Sequence, residues 1–147
     1  MPDLPLLLTA LATALACASL GGGLYEFSVV DPFWPRRLEL IQPARGGISR
    51  CRFWIPAHVA FELALIGSLV ALWPRPEVRG WLLAALASHG AMRIWSAFDF
   101  IPKALAFERA DAVDERAARA WTRRSLLRLP LDLVTCAAML GAFAAAA

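Results

Sequence analysis

The 147-residue sequence has only three cysteines, Cys17, Cys51 and Cys136. The count is odd and no CxxC or metal-type spacing occurs, which excludes a disulfide framework and a cysteine metal knuckle. The three are expected to serve as small apolar residues, without disulfide-based redox chemistry. Histidine is scarcer still: His58 and His89 are the only two, and no HExxH motif is present. No Lys or Arg precedes the first apolar run, and Asp3 has the wrong charge for the start of a signal peptide. Although LATALACAS offers small residues for cleavage, the first helix is therefore expected to be retained. No internal repeat or low-complexity tract stands out beyond the alanine-rich end, and no stretch is left over for a soluble domain.

What the chain has in abundance is apolar sequence: 59% of its residues are hydrophobic, and the mean hydropathy is +0.56. A membrane span needs about 20 mostly apolar residues. Four segments meet that length, at about 4–30, 53–73, 80–101 and 125–147. They predict an all-α fold, an integral membrane four-helix bundle forming a single transmembrane domain over residues 1–147.

The net charge of +3 is distributed by position. Arg36, Arg37, Arg45, Arg50 and Arg52 fall in the first connection. Lys103, Arg109, Arg116, Arg119, Arg123 and Arg124 fall in the third, against only Arg75 and Arg79 in the second. Positive residues gather in cytoplasmic loops. The pattern predicts both termini on the outer side of a multi-pass protein of the cell inner membrane, and it argues against a nucleic-acid partner.

Helix-level signals fill in the outline. Gly21, Gly22 and Gly23 allow close helix approach or leave a recess. Asp31-Pro32 ends the first helix, because proline disfavours the helical conformation of the residue before it. The long first connection, DPFWPRRLELIQPARGGISRCRFW, carries interfacial aromatics; residues 36–42 are expected to lie flat on the membrane surface, and the loop as a whole either to cover something or to float at the headgroups. The third, FERADAVDERAARAWTRRS, has helical i,i+4 pairs such as Glu115 with Arg119 and is expected to extend the fourth helix. Small-residue faces on the first and fourth helices suit a homo-oligomer.

Ionisable residues interrupt the apolar spans. His58/Glu62, His89/Arg93 and Arg128/Asp132 are each spaced i,i+4, which puts both members on one helix face. At about 1.5 Å rise per residue, Glu62, Arg93 and Asp132 all lie roughly 12 Å in from the same side; His58, Arg128, Glu26 and Asp99 lie roughly 3–8 Å in, and His89 near 18 Å. The other half is almost pure Leu, Ala, Val and Gly. A charge deep in hydrocarbon costs at least about 2.5–3.5 kcal/mol, so these groups must face one another. Arg93 between Glu62 and Asp132, with Arg128 serving Glu26 or Asp99, is the simplest arrangement.

An excess of carboxylates beside His suits proton transfer. His58, oriented by Glu62, has the makings of a base, and Arg93 or Arg128 of an oxyanion stabiliser. Tyr25, Trp54 and Trp95 offer an aromatic wall, with Glu26, His89 and Asp99 completing a pocket for a lipophilic small molecule drawn from membrane lipid. The expected cofactor is none. Iron or zinc on His58, Glu62, His89 and Asp132, and haem between His58 and His89, are the alternatives.

Three stretches, ARAWTRRSLLRLPLDLVTCAAML, RCRFWIPAH and LLAALASHGAMRIWSAFDFIPKAL, are similar in pattern to the anthrone oxygenase-like (DUF1772) family of small four-helix membrane proteins. The likeness covers most of the chain in length and topology. It implies an oxygenase-like oxidoreductase acting, without a conventional cofactor, on an aromatic or polyketide-like substrate. A base would remove a proton from an activated carbon and the site would hold the carbanion near oxygen, roles that fall to His58 with Glu62 and to Arg93 or Arg128. The rival expectations are a non-catalytic binder, carrier or assembly subunit, and a metal- or haem-dependent redox protein.

Overall fold

Asp3 starts the first helix: its carboxylate accepts a hydrogen bond from the Leu6 amide at 3.0 Å, satisfying one of the free N–H groups at a helix start. In the computed structural model, which describes residues 3–147, the chain is 86% helical, with no strand among the described residues. Helix α1 (Leu4–Tyr25) continues as a π-helical turn, Glu26–Val30. Helix α2 is Cys51–Ala71. Helix α3 (Pro76–Trp95) passes through a second π turn, Ser96–Phe100, into α4 (Ile101–Arg109). Helix α5 (Glu115–Ser125) runs through a 3-10 turn into α6 (Leu129–Ala146).

Three helical stretches are long and apolar enough to cross a membrane: Leu4–Val30, Cys51–Ala71 and Glu115–Ala146. They mark a membrane protein. Helix α3 is not among them; Glu77, Arg79 and Arg93 dilute its apolar character. Outward faces are apolar, as a lipid environment demands: Leu7 and Leu11 on α1, Leu63 and Val70 on α2, and Leu133 and Leu140 on α6 are all exposed.

The closest packing joins α1 to α2, α1 to α6 and α3 to α6, whereas α2 and α3, linked by a short turn, touch much less. Small residues set the α1–α6 spacing. Ala12 and Ala16 on α1 meet Ala138, Met139 and Ala142 in a fully buried core with Phe61, Leu65 and Leu82. Thr13 donates its hydroxyl to the Met139 carbonyl at 3.1 Å. A Cβ at Gly141 would stand 2.8 Å from the Trp81 ring, so glycine is what lets α3 and α6 approach. Arg75 donates to the Ala145 and Ala146 carbonyls at 2.6 and 3.2 Å, capping the end of α6.

The first connection folds as three 3-10 turns, Trp34–Arg36, Leu38–Ile41 and Pro43–Arg45. Gly46 adopts φ +85°, and a Cβ on Gly47 would collide with the Glu39 carbonyl at 2.1 Å; the two glycines allow the tight reversal that follows. The loop seats against α4 and α5. Gln42 donates to the Ala110 carbonyl at 2.7 Å, Arg36 to Glu115 at 2.9 Å, and the Trp34 ring packs on Phe107 and Trp121. Of the two expectations for this loop, covering something is the one its contacts match. The third connection narrows to residues 110–114, because helices run into it from both sides.

Two of the cysteines meet across α1 and α6: the Cys17 and Cys136 sulfurs are 3.7 Å apart. A disulfide closes at about 2.0 Å between sulfurs, so a small motion would join them. Mild oxidation of the purified protein with copper-phenanthroline is expected to yield a 17–136 linked peptide by mass spectrometry, with Cys51 still free to alkylate. A product linking Cys51 instead would contradict the α1–α6 packing.

Candidate functional site

Near the end of the helices covered by the first connection lies a cavity of about 400 Å³, within the range of small-molecule sites. Gly23, Glu26 and Phe27 of α1 and its π turn wall one side, and Leu129 and Asp132 of α6 another. Both π turns lie on the cavity: Glu26 and Phe27 line it from one, and Ser96 and Phe100 from the other. Such turns frequently occur at functional sites. On α2, Pro56 lacks an N–H and loosens the helix beside Trp54 and His58, which also line the cavity.

The polar groups form three layers. Innermost, one carboxylate oxygen of Glu62 accepts from Arg93 Nε at 3.0 Å and faces His89 Nε2 at 3.2 Å. This ties α2 to α3. Next come His58, Ser96, Arg128 and Asp132, all on the cavity wall. Arg128 donates to the Ser96 hydroxyl at 3.1 Å and to the Ser125 carbonyl at 3.3 Å, and its guanidinium lies over the Phe100 ring at 4.4 Å. It has no carboxylate within ion-pair distance among the described residues. Asp132 likewise makes no hydrogen bond or ion pair among the described residues. His58, 8% exposed, has a buried Nδ1 without a partner; its ring stacks on Trp54 at 5.3 Å and meets His89 at 5.4 Å.

Outermost, Arg50 bridges Glu26 at 3.4 Å and Glu108 at 3.3 Å, with its charge over the Trp121 ring. Glu26 also accepts from the Trp54 indole N–H at 2.8 Å. Asp31 accepts from Trp34 Nε1 at 2.9 Å. Burial, and then the neighbouring Glu26 charge, raise the Asp31 pKa to about 6.

The geometry redistributes the residues singled out from sequence. His58, Arg93, Arg128, Asp132, Glu26 and Trp54 share the cavity. Glu62 turns across to His89 and Arg93 rather than back to His58. Arg93 does not pair with Asp132, and Arg128 pairs with neither Glu26 nor Asp99, whose partners are Arg50 for the first and Lys103 and Arg124 for the second. The two histidine rings stand closer than the roughly 10 Å difference in depth suggested, because both side chains lean into the space between α2 and α3. Tyr25 sits outside, beside a groove formed by Gly21, Gly22 and Phe53, and Trp95 packs on Phe100 at 5.3 Å behind the wall. Arg50, Asp31, Ser96, Phe100 and Trp121 are cavity residues that sequence reasoning missed. Arg50 is one of five arginines in the first connection and Trp121 lies in a highly charged stretch, so only their packing reveals them. No cluster of three or more His, Cys, Asp or Glu side chains is arranged to hold a metal among the described residues.

The fold and cavity define a class: a helical membrane protein with a mostly apolar, partly charged recess at one end of its helices. No protein-family model, curated protein or solved structure matches the chain.

Two substitutions test the electrostatics. Asp31 has its folded-state pKa raised, so its contribution to stability falls as pH rises from the unfolded value near 4 to about 6 and stays lost above that. Asp31→Asn, which keeps an acceptor for Trp34, should therefore match wild type near pH 4 and exceed it at pH 8 by on the order of 2 kcal/mol, read from unfolding in detergent at both pH values. Glu62→Gln leaves Arg93 charged without a counter-ion and should lower stability by about 2 kcal/mol. An unchanged unfolding midpoint would show that the bridge contributes nothing to holding α2 and α3.

Proposed function

We propose that the protein is a multi-pass inner-membrane enzyme in which the more polar α3 makes a fourth crossing beside the three apolar spans, so that both termini lie outside, and that it abstracts a proton from a flat lipophilic substrate in the cavity, leaving the carbanion to be oxidised. One observation carries the reading: among the described residues His58 and Asp132 make no hydrogen bond and Arg128 makes no direct ion pair, yet all three line one largely apolar cavity. Buried polar groups are normally satisfied. A substrate that carries an ionisable oxygen, an adjacent acidic C–H and a hydroxyl at one end of an aromatic frame answers all three.

On this reading Trp54 and Phe100 grip the ring system. Arg128, oriented by Ser96, takes the oxygen on which negative charge develops. His58 removes the proton from the adjacent activated carbon, and Asp132, one turn along α6 from Arg128, accepts a hydrogen bond from a substrate hydroxyl. Molecular oxygen then adds to the carbanion. The hydroperoxide regains a proton and loses water, so that a methylene and dioxygen become a ketone and water. This is the oxygenase-like chemistry implied by the resemblance to the anthrone oxygenase-like family, and it uses no cofactor.

A second reading is favoured by a specific contact. Glu62 bonds His89 and leaves His58 without a group to orient it, whereas a catalytic base usually has one. A non-catalytic binder or carrier would need only the shape and Arg128.

The two readings part on one measurement. In liposomes prepared in D2O, deuterium exchange at the methylene of anthrone is followed by NMR. The enzyme reading expects exchange at least about 100-fold above lipid alone, returning to background in His58→Ala and unchanged in Leu140→Ala on the outer face. Binding of anthrone without accelerated exchange would leave the carrier reading standing.

A further inference from the structure

The cavity has an end and a side, and they differ. At the end, Trp34, Trp121 and Phe100 form a buried cluster with Ile41, and the first connection is hydrogen-bonded across it. The Arg50 side chain, only 9% exposed, fills the remaining gap between Glu26 and Glu108. Aromatic packing and paired charge cover this end.

The side is open. Cys51, Ile55 and Val59 lie i,i+4,i+8 along α2, a single stripe. All three line the cavity and yet are exposed; Ile55 is 61% and Val59 47% exposed. Facing them, Ile101 and Leu105 form an i,i+4 stripe on α4; both line the cavity, and Ile101 is 41% exposed. Two stripes that both line the cavity and reach the surface mark the rim of an opening. Helices α2 and α4 are not among the pairs that pack closely. Two ion pairs frame the gap, Glu62 with Arg93 at 3.0 Å towards the middle of the helices and Arg50 with Glu108 at 3.3 Å at their end.

We infer that this gap is a lateral window through which the substrate passes directly between the bilayer and the cavity. The inference rests on the membrane-enzyme reading above and narrows its substrate: a slender, uncharged, membrane-dissolved ring system whose single polar end leads the way in. Apolar walls admit the rings at little cost, while a charged or strongly hydrated molecule would lose its water against Ile55, Val59, Ile101 and Leu105 without replacement contacts. The oxygen ionises only after it reaches Arg128. Arg50 with Glu108 ties the start of α2 to the end of α4, and Glu62 with Arg93 ties α2 to α3, so the window is part of the resting fold.

Accessibility tests the window without requiring turnover. Ser96 lies behind it on the cavity wall and is 3% exposed. In protein carrying Cys17→Ser, Cys51→Ser and Cys136→Ala, the substitution Ser96→Cys places a single thiol there; Ser125→Cys serves if that variant does not fold. In liposomes, bilayer-dissolved N-(1-pyrenyl)maleimide is expected to label this thiol at least tenfold faster than a sulfonated, water-confined maleimide. Adding Val59→Trp at the rim should slow the pyrenyl reagent at least fivefold and leave the sulfonated one unchanged. Equal or faster labelling from water would overturn the window, and so would indifference to Val59→Trp. Slow labelling by both reagents, expected if a phospholipid chain fills the gap permanently, would overturn it too. Normal labelling with no deuterium exchange on anthrone would instead strike the chemistry and spare the window.

Discussion

Charge among apolar helices must be matched or hidden, and that constraint arranges the rest of this molecule. A carboxylate or guanidinium facing hydrocarbon costs several kcal/mol, so Glu26, Glu62, Arg93 and Asp99 find partners on other elements, while His58, Arg128 and Asp132 face the cavity. Glu62 satisfies Arg93 and meets His89 with a single oxygen; Arg50 satisfies Glu26 and Glu108 together. These bridges join α2 to α3, and the start of α2 to the ends of α1 and α4. Between them remain the groups that did not pair, His58, Arg128 and Asp132. The bridges and the unpaired groups are two outcomes of one rule, and the cavity is where the second outcome is tolerated.

The helical frame makes the cavity possible by being uneven. At one end, Ala12, Ala16, Ala138 and Ala142 draw α1 and α6 together, and Gly141 admits Trp81. At the other, Trp34, Phe100 and Trp121 hold the elements apart and roof the space. Small residues bring backbones close, and large aromatics keep them separate. The π turns at Glu26–Val30 and Ser96–Phe100 fall where the one regime gives way to the other.

Much of the frame was legible in the sequence, because hydropathy reports it directly. The segments around α1, α2 and α6 stand out by length and apolarity, whereas α3 carries enough charge to blur its character. That ionisable residues would converge was legible from spacing along each helix; their partners were not. An i,i+4 interval places His58 and Glu62 on one face, but it does not say whether Glu62 turns back along α2 or across to α3, and the charge of Arg93 decides for α3. Nothing in composition announces a π turn, so the aim of Ser96 and Phe100 into the cavity was hidden. Arg50 was hidden for a different reason. Among five arginines in one connection, only tertiary packing distinguishes the one that is buried. The cysteines show the same limit, since spacing along the chain could not show that Cys17 and Cys136 come together from α1 and α6.

The central claim is that the unpaired groups hold a lipophilic molecule with an ionisable oxygen. Mass spectrometry of what the protein carries when extracted in its native lipids tests it most directly. The account predicts a near-stoichiometric aromatic small molecule released from the wild-type protein and absent from a folded Arg128→Leu variant. Ordinary phospholipid alone, in equal amount from both, would contradict it.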